Sequence, residues 1–95
     1  MTIGKSIKHI RKNQLGENQK TFASSIGTGQ AYLSRIENDH SKPTIALLES
    51  ISERAGTPLP ILFWFGIEES DIHDKKVEAF KMLKPTIDSM INELI

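Results

Sequence analysis

Gln19–Lys42, QKTFASSIGTGQAYLSRIENDHSK, holds two short helical patterns joined by a three-residue break. Phe22, Ala23 and Ile26 recur at the spacing of one helix face, and Asn18 stands where an N-cap belongs. Gly27-Thr28-Gly29 interrupts the pattern. Gly27 can take the positive φ that ends a helix without steric strain, and Thr28 or Gly29 can open the next helix. In the second pattern Leu33 and Ile36 form a narrow apolar stripe, with Gln30, Ala31, Ser34 and Arg35 on the opposite side. Two helices this short cannot bury a core alone, so flanking helices must complete it. A second helix with small and hydrogen-bonding residues at its exposed N-terminal end suits insertion into a groove.

Working outward, Ile3, Ile7 and Ile10 recur at i, i+4 and i+7 and predict a first helix from Ile3 to about Asn13. Lys5, Lys8 and Lys12 lie off that stripe, and Gln14–Glu17 reads as a turn. On the other side Pro43 closes the loop Asn38–Lys42, and Thr44 caps a fourth helix. Ile45, Leu48 and Ile51 give that helix its core face, and Gly56 ends it. Thr57-Pro58 opens a fifth helix with Pro58 at its first position, where a missing amide does no harm. Leu59, Leu62 and Phe63 are its expected core residues. His40 has no partner at ligand spacing and reads as an exposed loop residue rather than a metal ligand.

On these residues the chain resembles the Cro/C1-type (Xre-like) helix-turn-helix family. The likeness rests on Gln19, Phe22-Ala23, Ile26-Gly27, Tyr32 through Asn38 and Lys42-Pro43, and it extends from about Ile3 to Phe63. Several unrelated residue types at fixed offsets make this far more specific than a lone glycine motif. The resemblance implies an all-α, five-helix, lambda-repressor-like DNA-binding domain over residues 1–67. It further implies a sequence-specific regulator of transcription, repressor-like, bound as a homodimer to an inverted repeat of double-stranded DNA. The recognition helix, Gln30 to about Asn38, would present Gln30, Ala31, Ser34 and Arg35 to base edges. A glutamine amide matches adenine, an arginine fork matches guanine, and Ala31 can meet a thymine methyl. Gln19, Ser41 and Lys42 would anchor phosphates, with Tyr32 either a further phosphate donor or a core-edge residue with its hydroxyl outward. An arginine late in the first helix pairs, in this family, with the glutamate ending the recognition helix, giving Arg11–Glu37. The turn before Gln19 is one residue longer than the usual pattern, and counting back from Gln19 selects Lys12 instead.

Charge supports a polyanionic partner once its distribution is considered. The formal net charge is zero. Residues 1–42 nevertheless carry seven Lys/Arg against three Asp/Glu, or +4, and residues 43–95 carry five against nine, or −4. Such polarity orients a protein on a polyanion. With no cysteine there is no disulfide framework and no thiolate metal site, which fits a cytoplasmic location. The start MTIGKSIKHIRK has no signal-peptide h-region, and the longest apolar run, Ile61–Phe65, is too short to span a bilayer. No cofactor is expected, and the absence of a phosphate loop or a nucleophile–base set argues against an enzyme.

Residues 68–95 form an extension that the resemblance does not cover. Glu68–Asp74 reads as a linker. Phe80, Leu83, Ile87, Met90 and Leu94 then follow a 3-4-3-4 rhythm, a heptad seam. Pro85 interrupts it, so a kink or two helices meeting near Lys84 are expected. This amphipathic tail is too short to stand alone and must pack on the domain, on a second subunit or on a partner protein. With Trp64 and Phe65, for which so small a core has little room, these residues are the expected dimerisation surface. The alternative to a DNA-binding regulator is a protein-interaction module, such as a helix-turn-helix antitoxin or an accessory subunit.

Overall fold

The computed structural model describes residues 2–94, with the side chain of Leu94 outside that description, and the described residues form six α-helices and no strand. They are α1 Ile3–His9, α2 Gln19–Ser25, α3 Gln30–Glu37, α4 Ile45–Ala55, α5 Leu59–Phe65 and α6 Val77–Leu94. The first five enclose one core. Ile7, Ile10, Phe22, Leu33, Ile36, Ile51 and Leu62 have no exposed surface, and Leu59 and Phe63 pack against them. Ile45, expected to join this core, is instead 66% exposed. It occupies the first position of α4, where the helix has not yet come down onto its neighbours, and the core face begins with Leu48.

Local chemistry sets the helix ends. Asn18 caps α2 by accepting the Thr21 amide at 2.8 Å, and Thr44 caps α4 by accepting the Leu47 amide at 3.1 Å. At the end of α2, Gly27 takes φ 76° while the Thr28 amide donates to the Ala23 carbonyl at 2.9 Å, a closure that reverses the chain towards α3. Gly29 opens α3 without any side-chain cap. Asp39 (φ 59°) ends α3 in the same left-handed way, with the His40 amide donating to the Arg35 carbonyl at 2.8 Å.

The extra residue in the first turn has a physical location. The first helix is α-helical only to His9 and continues as a π turn over Ile10–Gln14, with the Leu15 amide donating to the Ile10 carbonyl at 3.0 Å. A π turn winds one more residue into the helix than an α turn does. The extra residue is taken up within this turn, at whose start Arg11 is buried and Lys12 exposed.

The tail departs from expectation in three ways. Glu68–Asp74 is not wholly irregular, since 3-10 turns occupy Glu69–Asp71 and Asp74–Lys76. Pro85 neither ends nor divides α6, which runs through it as one helix. The expected heptad seam also splits between two faces. Phe80 and Ile87 are half-buried, whereas Leu83 and Met90 are 57% and 60% exposed. The residue α6 buries most fully is Ile91, one position beyond the expected seam. Helical periodicity explains the shift: 80, 84, 87, 88 and 91 share the inward side, towards α5.

Candidate nucleic-acid interface

Recognition chemistry begins with how α3 is held. Leu33 and Ile36 turn fully inward, and one helix turn of rotation leaves Gln30, Ala31 and Arg35 exposed with Ser34 half-buried. Among the described residues, the side chains of Gln30 and Arg35 make no hydrogen bond or ion pair. Their amide and guanidinium are therefore free for an external acceptor.

The opposite end of α3 is fixed to α1 and to the π turn that continues it. Arg11 donates from Nε to Glu37 Oε2 at 2.7 Å and from Nη2 to Glu37 Oε1 at 2.9 Å, a bidentate pair with both side chains buried. The third guanidinium nitrogen, Nη1, donates to the Glu17 carbonyl at 2.9 Å, so the same arginine also fixes the turn leading into α2. Beside this pair the Gly4 amide, at the positive end of the α1 dipole, donates to Asp39 Oδ1 at 3.2 Å. Gly4 is needed for this approach. A Cβ there would clash with the Ile36 carbonyl and lie 2.7 Å from the Glu37 carbonyl oxygen.

Gln19 is the first residue of α2, and its Nε2 donates to Glu37 Oε1 at 3.1 Å. The amide nitrogen has a second proton, and the backbone amides at the start of α2 are aligned with a positive helix terminus, so the position keeps donors for an anion. Tyr32 packs against the core, and its hydroxyl donates to the Lys42 carbonyl at 3.2 Å. That bond takes up its single proton in this structure and ties the loop after α3 back to α3. Ser41 is half-buried on that loop, and the Lys42 ammonium is exposed and free of ion pairs among the described residues.

The expected dimerisation residues divide differently. Trp64 turns back onto α6: its Nε1 donates to Asp88 Oδ1 at 2.7 Å, its ring meets Phe80 at 5.9 Å between centroids, and Lys84 Nζ lies 5.8 Å from the ring. Phe65 lies against the His9 ring at 4.8 Å. Trp64 thus joins α5 to the tail through Phe80, Lys84 and Asp88, while Phe65 packs onto α1, Ile87 is half-buried, and Leu83 and Met90 face outward. The dimerisation role expected of Leu94 lies outside the described side chains.

Three positioning contacts were missed in the sequence: Gly4–Asp39, Gln19–Glu37 and Tyr32–Lys42. A glycine inside an otherwise helical pattern was the available signal for the first. Among the described residues no group of three or more His, Asp or Glu is placed to hold a metal ion, and no helix is long and apolar enough to cross a membrane.

A family model described as helix-turn-helix matches residues 7–62, more than half of the chain. No match was found among the curated proteins or the solved structures.

Proposed function

The chain belongs to the Cro/C1-type (Xre-like) helix-turn-helix family of DNA-binding proteins, and from that premise we propose that it is a sequence-specific transcriptional regulator that represses by occupying operator DNA. In this reading residues 1–67 form the DNA-binding domain and residues 68–95 the dimerisation extension. Two copies on a two-fold axis set their α3 helices about 34 Å apart, one turn of duplex, and the operator is a short inverted repeat. Gln30, Ala31, Ser34 and Arg35 contact base edges in the major groove. Gln19, Ser41, Lys42 and the free amides of α2 hold phosphates on either side.

The observation that carries this reading is the open, uncommitted outer face of α3 against the tightly clamped inner end. Gln30 and Arg35 are exposed and have no side-chain partners among the described residues, while Arg11, Glu37, Gly4 and Asp39 fix the helix that presents them. The runner-up, a protein-interaction module, is favoured by the acidic rear half and by the exposed Leu83 and Met90 on α6.

The discriminating experiment measures binding of the whole protein to its own upstream DNA, to selected random duplexes and to scrambled DNA. A preferred site bound about a thousandfold more tightly than scrambled DNA is expected. Arg35→Ala should remove about 1–3 kcal/mol of that preference per subunit, leaving the salt-dependent background intact. Equal, weak binding of every duplex by both proteins would favour the interaction module.

A further inference from the structure

The outward side of the tail carries a second, different seam. Lys76, Ala79, Leu83, Thr86, Met90 and Glu93 follow one another at spacings of 3, 4, 3, 4 and 3, and all six are exposed. Of the four large hydrophobic residues exposed among those described, three (Met82, Leu83 and Met90) lie on α6, with Met82 flanking this stripe. The charged ends of the stripe make no ion pair among the described residues. Lys81 and Lys84 take Glu69, Glu78 and Asp88, and neither Lys76 nor Glu93 takes part.

The order along the stripe is complementary to its own reverse. It is centred between Lys84 and Pro85, so a second copy laid antiparallel brings Lys76 opposite Glu93, Ala79 opposite Met90 and Leu83 opposite Thr86. Each pairing matches opposite charge to opposite charge, or a large side chain to a small one, three times on each side of a two-fold axis. A parallel pair would instead place Lys76 on Lys76 and Glu93 on Glu93, with like charges at both ends. We propose that α6, together with Lys76 at the end of the 3-10 turn that leads into it, is the dimer interface, closed by a second copy of this chain in an antiparallel arrangement through Lys76, Ala79, Leu83, Thr86, Met90 and Glu93. The proposal rests on the reading of the protein as a homodimer and specifies which face forms the pair. The inward face, with Trp64 and Phe80, stays within each subunit. An antiparallel pair of identical helices is two-fold symmetric, the symmetry an inverted-repeat operator requires.

The native chain lacks cysteine, so the register can be read by introduced thiols. Ala79→Cys and Met90→Cys, made separately in the full-length protein, should give little cross-linked dimer alone and a disulfide-linked heterodimer when mixed. Positions 79 and 90 lie about 16 Å apart along one helix, beyond the Cα separation of about 7 Å that a disulfide tolerates. Strong self-cross-linking of either single variant would mean a parallel pair and overturn the proposal. Sedimentation of Leu83→Lys should show the dimer weakened about tenfold or more, with the helical circular dichroism unchanged because Leu83 is exposed. Lys76→Glu should weaken it severalfold, and adding Glu93→Lys should restore it. A dimer indifferent to Leu83→Lys and to the charge exchange, or a wild-type protein monomeric at every concentration, overturns the interface. Operator binding scores the regulator reading separately. A dimer that forms as described but selects no DNA sequence keeps the interface and removes the operator. Sequence-selective binding to inverted-repeat DNA by a dimer that ignores these variants does the reverse.

Discussion

At the residue scale the decisive feature is the buried Arg11–Glu37 pair. Two charges removed from water need nearly ideal geometry to repay their lost hydration, and here the guanidinium makes two hydrogen bonds to the carboxylate and one to the Glu17 carbonyl. Arg11→Met leaves the Glu37 carboxylate buried with only the Gln19 amide, and should lower stability by about 3–5 kcal/mol. Arg11→Met/Glu37→Met removes the uncompensated charge and should be more stable than either single variant. Urea unfolding of the three proteins checks this; singles and double falling together would mean packing, not charge, dominates. The pair was legible by resemblance as Arg11–Glu37, with Lys12 left as the alternative because counts from the two ends disagreed by one. No local pattern announces a π turn, and only three-dimensional winding decides which of Arg11 and Lys12 faces inward. Asp39 was legible only in part. Its tolerance of left-handed φ is a property of the residue, whereas its bond to the Gly4 amide joins positions 35 residues apart.

At the scale of elements, α2 and α3 were readable because their signals are short-range: the Asn18 cap, the left-handed Gly27 and the apolar pair Leu33 and Ile36 act within a few residues. The tail was harder because α6 carries two apolar stripes that overlap in sequence. A seam begun at Phe80 takes Phe80 and Ile87 from the inward face and Leu83 and Met90 from the outward one. Which stripe is covered depends on Trp64, in another helix, whose indole proton goes to Asp88. Pro85 was expected to kink the helix or divide it in two, and it does not divide it, since α6 passes through it. Proline removes one backbone hydrogen bond and crowds the preceding turn, but the anchors on both sides, Phe80 before it and Asp88 and Ile91 after it, hold the helix together. Pro85 is exposed, so Pro85→Ala changes backbone energetics without removing a core contact. The variant should be more stable by up to about 3 kcal/mol, the difference between proline and alanine inside a helix. A rise in Tm with unchanged dimer affinity is the expected result. An unchanged Tm would show that the native tail already accommodates the missing bond without strain.

For the whole molecule, the charge division has a consequence that no single contact carries. The basic front half contains α2, α3 and the loop to Lys42, and the acidic rear half contains the tail, so on a duplex the protein is attracted at one side and repelled at the other. This polarity was legible by counting along the chain. Which polar side chains are already engaged within the fold was not, because the partners of Tyr32 and Gln19, Lys42 and Glu37, lie 10 and 18 residues away. Lys42 is the test of this division of labour, since its backbone carbonyl is tied down by Tyr32 while its ammonium is exposed and has no ion pair among the described residues. If it neutralises one phosphate per subunit, Lys42→Ala should weaken binding to every duplex alike and reduce the dimer's slope of log K against log salt by about 2, roughly 0.9 for each lost phosphate contact. Arg35→Ala should instead lower only the preference for the operator, with the background slope on scrambled DNA retained. A salt series on both variants separates positioning from reading. An unchanged slope for Lys42→Ala would assign the phosphate contacts to the helix-end amides of α2, because backbone dipoles attract an anion without contributing a net positive charge to the count of displaced cations.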